Sequence, residues 1–240
     1  MVTRAGAKMS KSKGNVVSPG DIVARYGADT ARCYILYVGH PSDGGDFSDD
    51  GIEGLHRFLS RLWRAAVESA ALPAGDHPPE PGELTRKAHW AIEKVTRDLG
   101  ERFATHTSIA AVIELVNDWH RMRESAPPAE LRFAAATAAS LIFPFAPHLG
   151  SEAYERVAGG RVWEEPWPEA DPALLVSDTV ELVVQVNGKL RDRVAVRADA
   201  SREEQEALAR ESEKVAAYLA GGELRKTVVV PGKLVNFVVG

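Results

Sequence analysis

Gly51-Ile52-Glu53-Gly54-Leu55-His56-Arg57-Phe58-Leu59-Ser60-Arg61-Leu62-Trp63-Arg64-Ala65-Ala66-Val67-Glu68-Ser69-Ala70 decides the fold class. Ile52, Leu55, Leu59, Leu62, Ala66 and Ala70 recur at three- and four-residue spacing, and Phe58, Trp63 and Val67 reinforce the stripe. That is the period of an α-helix with one face against a core. The same spacing returns in Leu84, Ala88, Ala91, Val95 and Leu99, in Ile109, Val112, Ile113, Val116 and Trp119, and in Leu131, Ala134, Ala135, Ala138, Leu141 and Ile142. Proline-bearing stretches at 72–83, 127–128 and 143–147 separate these runs, and a short helix runs from there to Gly159-Gly160. Four or five helices with short links make a bundle, over residues 46–170.

Upstream, Ser18-Pro19-Gly20 reads as a turn and Asp29 as the N-cap of a short buried helix from Thr30. Pro41 and the Gly44-Gly45 pair end that helix, so residues 1–45 form a separate first segment. Downstream the period becomes strand-like. Val180 to Val186, the hairpin pair Asn187-Gly188 and Lys189 to Val196 read as two antiparallel strands. Ser201 and Glu204 form a capping box that opens a helix carrying Leu208, Val215 and Leu219 and stopping at Gly221-Gly222. Two more strands, Thr227 to Val230 and Leu234 to Val239, flank Pro231-Gly232, giving a ββαββ unit over 177–240. The fold class is thus multidomain and mainly α: a first loop segment, a helical bundle and a small C-terminal α+β domain.

At 240 residues, 45% hydrophobic and 26% charged, the composition is that of an ordinary globular protein. Cys33 is the single cysteine, so neither an internal disulfide nor a cysteine-based zinc site can form, and a reducing cytoplasmic setting fits. No apolar leader core follows Met1, and no unbroken run approaches the roughly 18 apolar residues of a membrane span. No metal site is expected. The net charge of -5 is unevenly spread: Arg4, Lys8, Lys11, Lys13, Arg25 and Arg32 face only Asp21 and Asp29 in the first 40 residues. Phosphate binding follows that local distribution rather than the total.

Lys8-Met9-Ser10-Lys11-Ser12-Lys13-Gly14-Asn15 carries the sharpest chemistry. Ammonium groups separated by small hydroxyl and glycine positions suit a loop that wraps a polyphosphate, supplying charge but neither base nor nucleophile. As composition alone, it reads first as a solvated basic terminus. On the strand from Lys189, alternation puts Lys189, Arg191, Arg193 and Arg197 on one face with Leu190, Val194 and Val196 opposite and Asp192 as the exception; Arg225, Lys226 and Lys233 add bases nearby. That pattern fits either a phosphate-binding face or a solvated outer sheet face. Arg57, Arg61 and Arg64 lie beside the apolar stripe of the first long helix, where each alone reads first as a solubilising position. Trp63, Trp90 and Trp119 read as core residues rather than base-stacking platforms.

The string Lys8-Met9-Ser10-Lys11-Ser12, with Tyr26-Gly27-Ala28-Asp29-Thr30-Ala31-Arg32 after it, resembles the second signature of class I aminoacyl-tRNA synthetases and the segment that follows it. Gly51 to Leu59, Pro144-Phe145-Ala146-Pro147-His148, Pro166-Trp167-Pro168, Val184 to Arg191 and Pro231 to Asn236 resemble, in order and spacing, bacterial leucyl-tRNA synthetase, over essentially the whole chain. The resemblance implies ATP binding by Lys8, Met9, Ser10, Lys11 and Ser12, with Lys8 and Lys11 stabilising the phosphates during leucine activation. It further implies tRNA contacts from Arg57, Arg61, Arg64, Lys189, Arg191, Arg193, Arg197, Arg225, Lys226 and Lys233. Expected partners are tRNA(Leu), ATP with Mg2+ and leucine; a monomer and no membrane association are expected. None of the seven histidines forms the His-x-Gly-His pair that the family's catalytic fold also uses, so residues 1–240 are not expected to aminoacylate alone.

Overall fold

A computed structural model describes every residue except 1, 5, 40–44, 74–80, 176–178, 198–199, 220, 221 and 223. The chain divides into two compact units, Met1–Leu175 and Val176–Gly240. The first is mostly helical and the second is a small sheet domain with helices.

The first unit opens with β1 (Val2–Arg4), β2 (Ala7–Lys8), α1 (Pro19–Tyr26), α2 (Ala28–Tyr37) and β3 (Gly45–Phe47). The bundle follows as α3 (Asp49–Ala70), α4 (Glu83–Arg102), α5 (Thr105–Met122), α6 (Pro128–Ile142) and α7 (Pro147–Ala158), with a short α8 (Pro172–Leu175). The apolar stripes read from the sequence meet in one core: Ile52, Leu62, Leu84, Ile109, Leu115, Leu141 and Ile142 are fully buried. Ser48 caps α3 by accepting from the Gly51 N–H at 3.2 Å, and Asp49 and Asp50 lie at the positive end of its dipole.

Two starts differ from expectation. Ser18-Pro19-Gly20 opens α1 instead of making a free turn, because proline at the first helical position gives up no intrahelical hydrogen bond. α2 begins at Ala28 behind Gly27, whose φ of 86° places it in the region glycine tolerates best. Asp29 is therefore not that helix's cap. It reaches across to α7, accepting from the Leu149 N–H at 2.6 Å and lying 2.9 Å from His148 Nδ1.

Other helix ends are closed by partners far along the chain. Glu130 of α6, 3% exposed, accepts from the Thr85 N–H at 3.1 Å and caps α4, where the N-cap is Gly82; a Cβ there would collide with the Glu130 carboxylate. Arg132 of the same helix closes two C-termini. Its Nη1 donates to the carbonyls of Ser69 at 3.0 Å, Ala70 at 3.4 Å and Leu72 at 3.2 Å, and Nη2 donates to that of Val157 at 2.6 Å. Trp119 Nε1 donates to the Leu131 carbonyl at 3.0 Å, so the largest core side chain leaves no polar atom stranded. Cys33 is fully buried, and burial together with Asp29 pushes its thiol up to about 12, which makes it inert as a nucleophile.

Residues 1–45 share the first unit with the bundle. β1 pairs antiparallel with β2 and parallel with β3, aligning Val2 with Gly45 and Arg4 with Phe47. Arg4 pairs with Asp49 at 2.7 Å. The strands escaped the sequence reading because each is only two or three residues long.

The second unit holds β4 (Thr179–Val186), β5 (Lys189–Arg197), α9 (Arg202–Glu211), α10 (Glu213–Leu219), β6 (Leu224–Val230) and β7 (Leu234–Val239). The strand order is β5-β4-β7-β6 with β4 and β7 parallel at the centre. Leu182, Val184, Val186, Val196, Val235 and Phe237 meet Ala209 and Val215 of the helices in a separate core. Asn187 and Gly188 both take positive φ, 51° and 74°, as a two-residue hairpin requires. The capping box is present: Ser201 Oγ accepts from Glu204 N at 3.2 Å and Glu204 Oε2 from Ser201 N at 2.7 Å.

The one helix expected here is two, so the unit runs ββααββ. The chain turns at Ser212, with ψ of 123°, and Ser212 Oγ donates to Asp192 Oδ2 at 2.6 Å. Lys214 Nζ donates to Oδ1 of the same carboxylate at 3.0 Å. The Ser212 and Lys214 donors hold the Asp192 carboxyl down to about 2. A depressed folded-state value means stability that is complete above the ordinary carboxylate range and is lost as pH falls from about 4 to about 2. Asp192→Asn is expected to flatten the acid limb of this unit's stability in that window, read from valine methyl resonances of the sheet. An unchanged limb would show that Asp192 does not anchor the helix break.

Candidate functional site

The lysine loop leaves the short β2 strand and returns through a single 3-10 turn, Lys11–Lys13, closed by Lys13 N donating to the Ser10 carbonyl at 3.1 Å. Asn15 ties its two arms together. Its Oδ1 accepts from Ser10 N at 2.9 Å and its Nδ2 donates to the Lys8 carbonyl at 3.2 Å. Lys8 and Ser12 are exposed, Ser10 is half-buried, and the Ser10 and Ser12 hydroxyls lie 3.2 Å apart. Met9 turns the other way and packs on the bundle core. The Lys11 side chain lies outside the described residues, although its backbone opens the turn. Asn15 had no assigned role in the sequence reading; its signal was an amide side chain after Gly14, able to replace missing backbone partners in a tight loop.

The donor set of ammonium, hydroxyl and turn N–H groups matches phosphate oxygens. Among the described residues no group of three His, Cys, Asp or Glu could hold a metal ion. No described helix is long and apolar enough to cross a membrane.

The three arginines of α3 do not make one free row. Arg57 pairs with Glu53 at 3.2 Å, and Arg61 donates to Asn117 Oδ1 at 2.7 Å on α5. Arg64 is exposed, with no ion pair among the described residues. His120, lowered below its ordinary value by burial, is neutral at pH 7 and donates from Nε2 to the Arg61 carbonyl at 3.1 Å. Trp119 is in the core, while Trp63 and Trp90 pack against it under Arg156 and Lys87, whose charged groups lie 5.0 and 3.4 Å from the ring centroids.

The alternating basic stripe on β5 is not formed, because a β-bulge interrupts it. Val184 aligns with Asp192 but Gln185 with Leu190, so Arg191 is the extra residue and the faces exchange there. Arg193 stands opposite Val183 and pairs with Glu181 at 2.6 Å. Leu190 is 52% exposed, opposite Gln185. Lys189 aligns with Val186, whereas Arg191 bonds to Tyr218 of α10. Arg197 aligns with Thr179, and its side chain lies outside the described residues. On β6 a second bulge between Leu224 and Lys226 displaces Arg225; Arg225, Lys226 and Lys233 are exposed.

Residues 1–45 match the family described as tRNA synthetases class I (I, L, M and V). Residues 82–207, more than half of the chain, match the anticodon-binding domain of tRNA ligase, and the chain belongs to that tRNA ligase family. Its relatives within the family include leucine--tRNA ligases. It is 42% identical over 256 residues to the leucine--tRNA ligase of Nitratidesulfovibrio vulgaris strain Miyazaki F, and 44% identical over 253 residues to that of Syntrophobacter fumaroxidans, both alignments covering 100% of this chain. The chain spans about a third of these curated relatives, 31% and 30% of their lengths. Its fold matches the crystal structure of a ternary LeuRS-tRNA-LeuAMS complex of Agrobacterium radiobacter K84 with a TM-score of 0.77 and 29% identity, over 100% of this chain and 33% of that one.

Proposed function

We propose that the chain serves as the C-terminal portion of a leucine--tRNA ligase, which activates leucine with ATP and transfers it to tRNA(Leu). The observation that carries this reading is the extent of similarity: leucine--tRNA ligases align with 100% of this chain, but only along 30–31% of their own lengths.

In this reading residues 1–45 end the catalytic domain, 46–170 form the anticodon-binding bundle and 177–240 form a second tRNA-binding domain. Lys8, Ser10, Lys11 and Ser12 hold the ATP phosphates, Met9 anchors the loop to the bundle, and Mg2+ accompanies ATP. ATP supplies the activated phosphorus that the leucine carboxylate attacks. The lysines offset the charge that grows on the leaving pyrophosphate, an effect larger in the transition state than in the bound substrate. The Asn15 clamp suits that task, because a loop whose arms are already joined presents its donors with less ordering left to do. Residues 1–240 lack the His-x-Gly-His pair, so the ligase reaction needs the remaining catalytic residues of a longer protein. Arg57, Arg61, Arg64, Lys189, Arg191, Arg193, Arg197, Arg225, Lys226 and Lys233 are the proposed tRNA contacts. The protein is cytoplasmic and acts as a monomer.

The purified chain is expected to bind tRNA(Leu) without ATP, with affinity that falls steeply with salt as counterions are released. Removing residues 178–240 is expected to weaken that binding by about a hundredfold or more, the loss of several of the proposed phosphate contacts at once. Equal affinity with and without these residues refutes the role of the small domain. No tRNA binding by the whole chain refutes the reading of the bundle as well.

A further inference from the structure

We propose that one end of the small sheet, where β4, β7 and α10 meet, is a subsite for a single RNA phosphodiester and the unpaired base beside it. The inference rests on the tRNA-binding reading of residues 177–240 and deepens it. A cavity of about 350 Å³ opens there, with Lys189, Arg191, Tyr218, Asn187, Val239 and Gly240 among its lining residues. Among its described lining residues there is no acidic side chain.

Arg191 is set there by the bulge that removes it from the β5 alternation. Its guanidinium lies 3.9 Å from the centroid of the Tyr218 ring, and Nη1 donates to the Tyr218 hydroxyl at 3.1 Å. The fork is therefore fixed in direction before any ligand arrives. Its Nε is buried and has no acceptor, a donor the fold leaves unsatisfied at a place lined by cations. Arg225, from the opposite edge strand, packs its guanidinium where a Cβ of Gly240 would stand, which brings a third base to the same end. An anion with several acceptor oxygens complements these three cations, and a phosphodiester is such an anion.

Tyr218 adds what free phosphate would not use. It is 45% exposed although its ring carries the guanidinium, which leaves aromatic surface open beside the cation. Base stacking on an aromatic side chain next to a backbone phosphate contact is how single-stranded RNA is gripped without reading its sequence.

The test uses the full 240-residue chain, a tRNA(Leu) transcript and, separately, inorganic phosphate. Arg191→Met is expected to weaken tRNA binding about tenfold and to reduce the slope of log affinity against log salt by about one. Tyr218→Leu is expected to weaken it by a similar factor, roughly tenfold, with the salt slope unchanged. Tyr218→Phe, which keeps the ring, is expected to restore most of that loss. Thermal unfolding of each variant reports on the fold, and loss of helix anchoring alone would lower the midpoint without these affinity and slope signatures. Wild-type tRNA affinity in both Arg191→Met and Tyr218→Leu overturns the subsite and leaves the broader tRNA reading standing. Absence of tRNA binding by the unaltered chain overturns both. Saturation of the Arg191 side-chain resonances by millimolar inorganic phosphate, with no competition from tRNA, assigns the cavity to a free anion and overturns the RNA proposal.

Discussion

Arg132→Met is expected to lower the unfolding free energy of the unit formed by residues 1–175 by about 2–4 kcal/mol. The methionine keeps most of the aliphatic stem, so the loss comes from hydrogen bonding rather than from a cavity. Nη1 serves the carbonyls of Ser69, Ala70 and Leu72 beyond the last turn of α3, and Nη2 serves that of Val157 at the end of α7. Carbonyls at a helix C-terminus have no intrahelical donor and carry the negative end of the dipole, so a guanidinium satisfies both needs. Arg132 is only half-buried, and water recovers part of what the side chain gave, which limits the effect to the lower single digits. Urea unfolding followed by tryptophan fluorescence measures it selectively, because all five tryptophans lie within residues 1–175. Arg132→Lys should recover a minor part, since an ammonium cannot fork toward two helices. A midpoint within experimental error of the parent in Arg132→Met would mean that α3 and α7 are held together by apolar packing alone.

Lys11→Ala, introduced at the matching position of a complete leucine--tRNA ligase, is expected to slow single-turnover adenylate formation by about 10² to 10³. Leucine affinity should change little, because in the proposed role the lysine meets charge that develops on the phosphates and not the amino acid. Lys8→Ala should act in the same direction. The geometry behind the expectation is the Asn15 bridge from Ser10 N to the Lys8 carbonyl, which fixes the backbone on both sides of the turn that Lys11 opens. Single-turnover rates that match the parent in both variants would show that the loop does not serve the transition state.

The helices of the bundle were legible in advance. Leu84, Ala88, Ala91 and Val95, or Leu131, Ala134, Ala135 and Ala138, sit on one face by the helical period alone, and the structure buries every one of them. Asn187-Gly188 and the Ser201–Glu204 box were equally legible, since hairpin and cap chemistry act over two to four residues. The loop of Lys8 to Asn15 was visible as a string, but the clamp within it was not, because an asparagine's partners follow from the path of the loop. The basic stripe failed for a related reason: one extra residue in β5 reverses every side chain beyond it, and no composition rule announces a bulge.

By itself, then, the sequence determined what each segment becomes: which stretches are helix, which are strand, and where most of them start. Those properties depend on torsion preferences and on neighbours within one or two turns, so they survive without the rest of the chain. Tertiary structure alone decided the long-range partners. Asp29 caps α7 about 120 residues away, Glu130 caps α4, Arg132 closes α3 and α7, and Arg191 leaves its stripe to stand over Tyr218. Each of these needs a direction and a distance fixed by core packing and strand register, which the order of residues along the chain does not display.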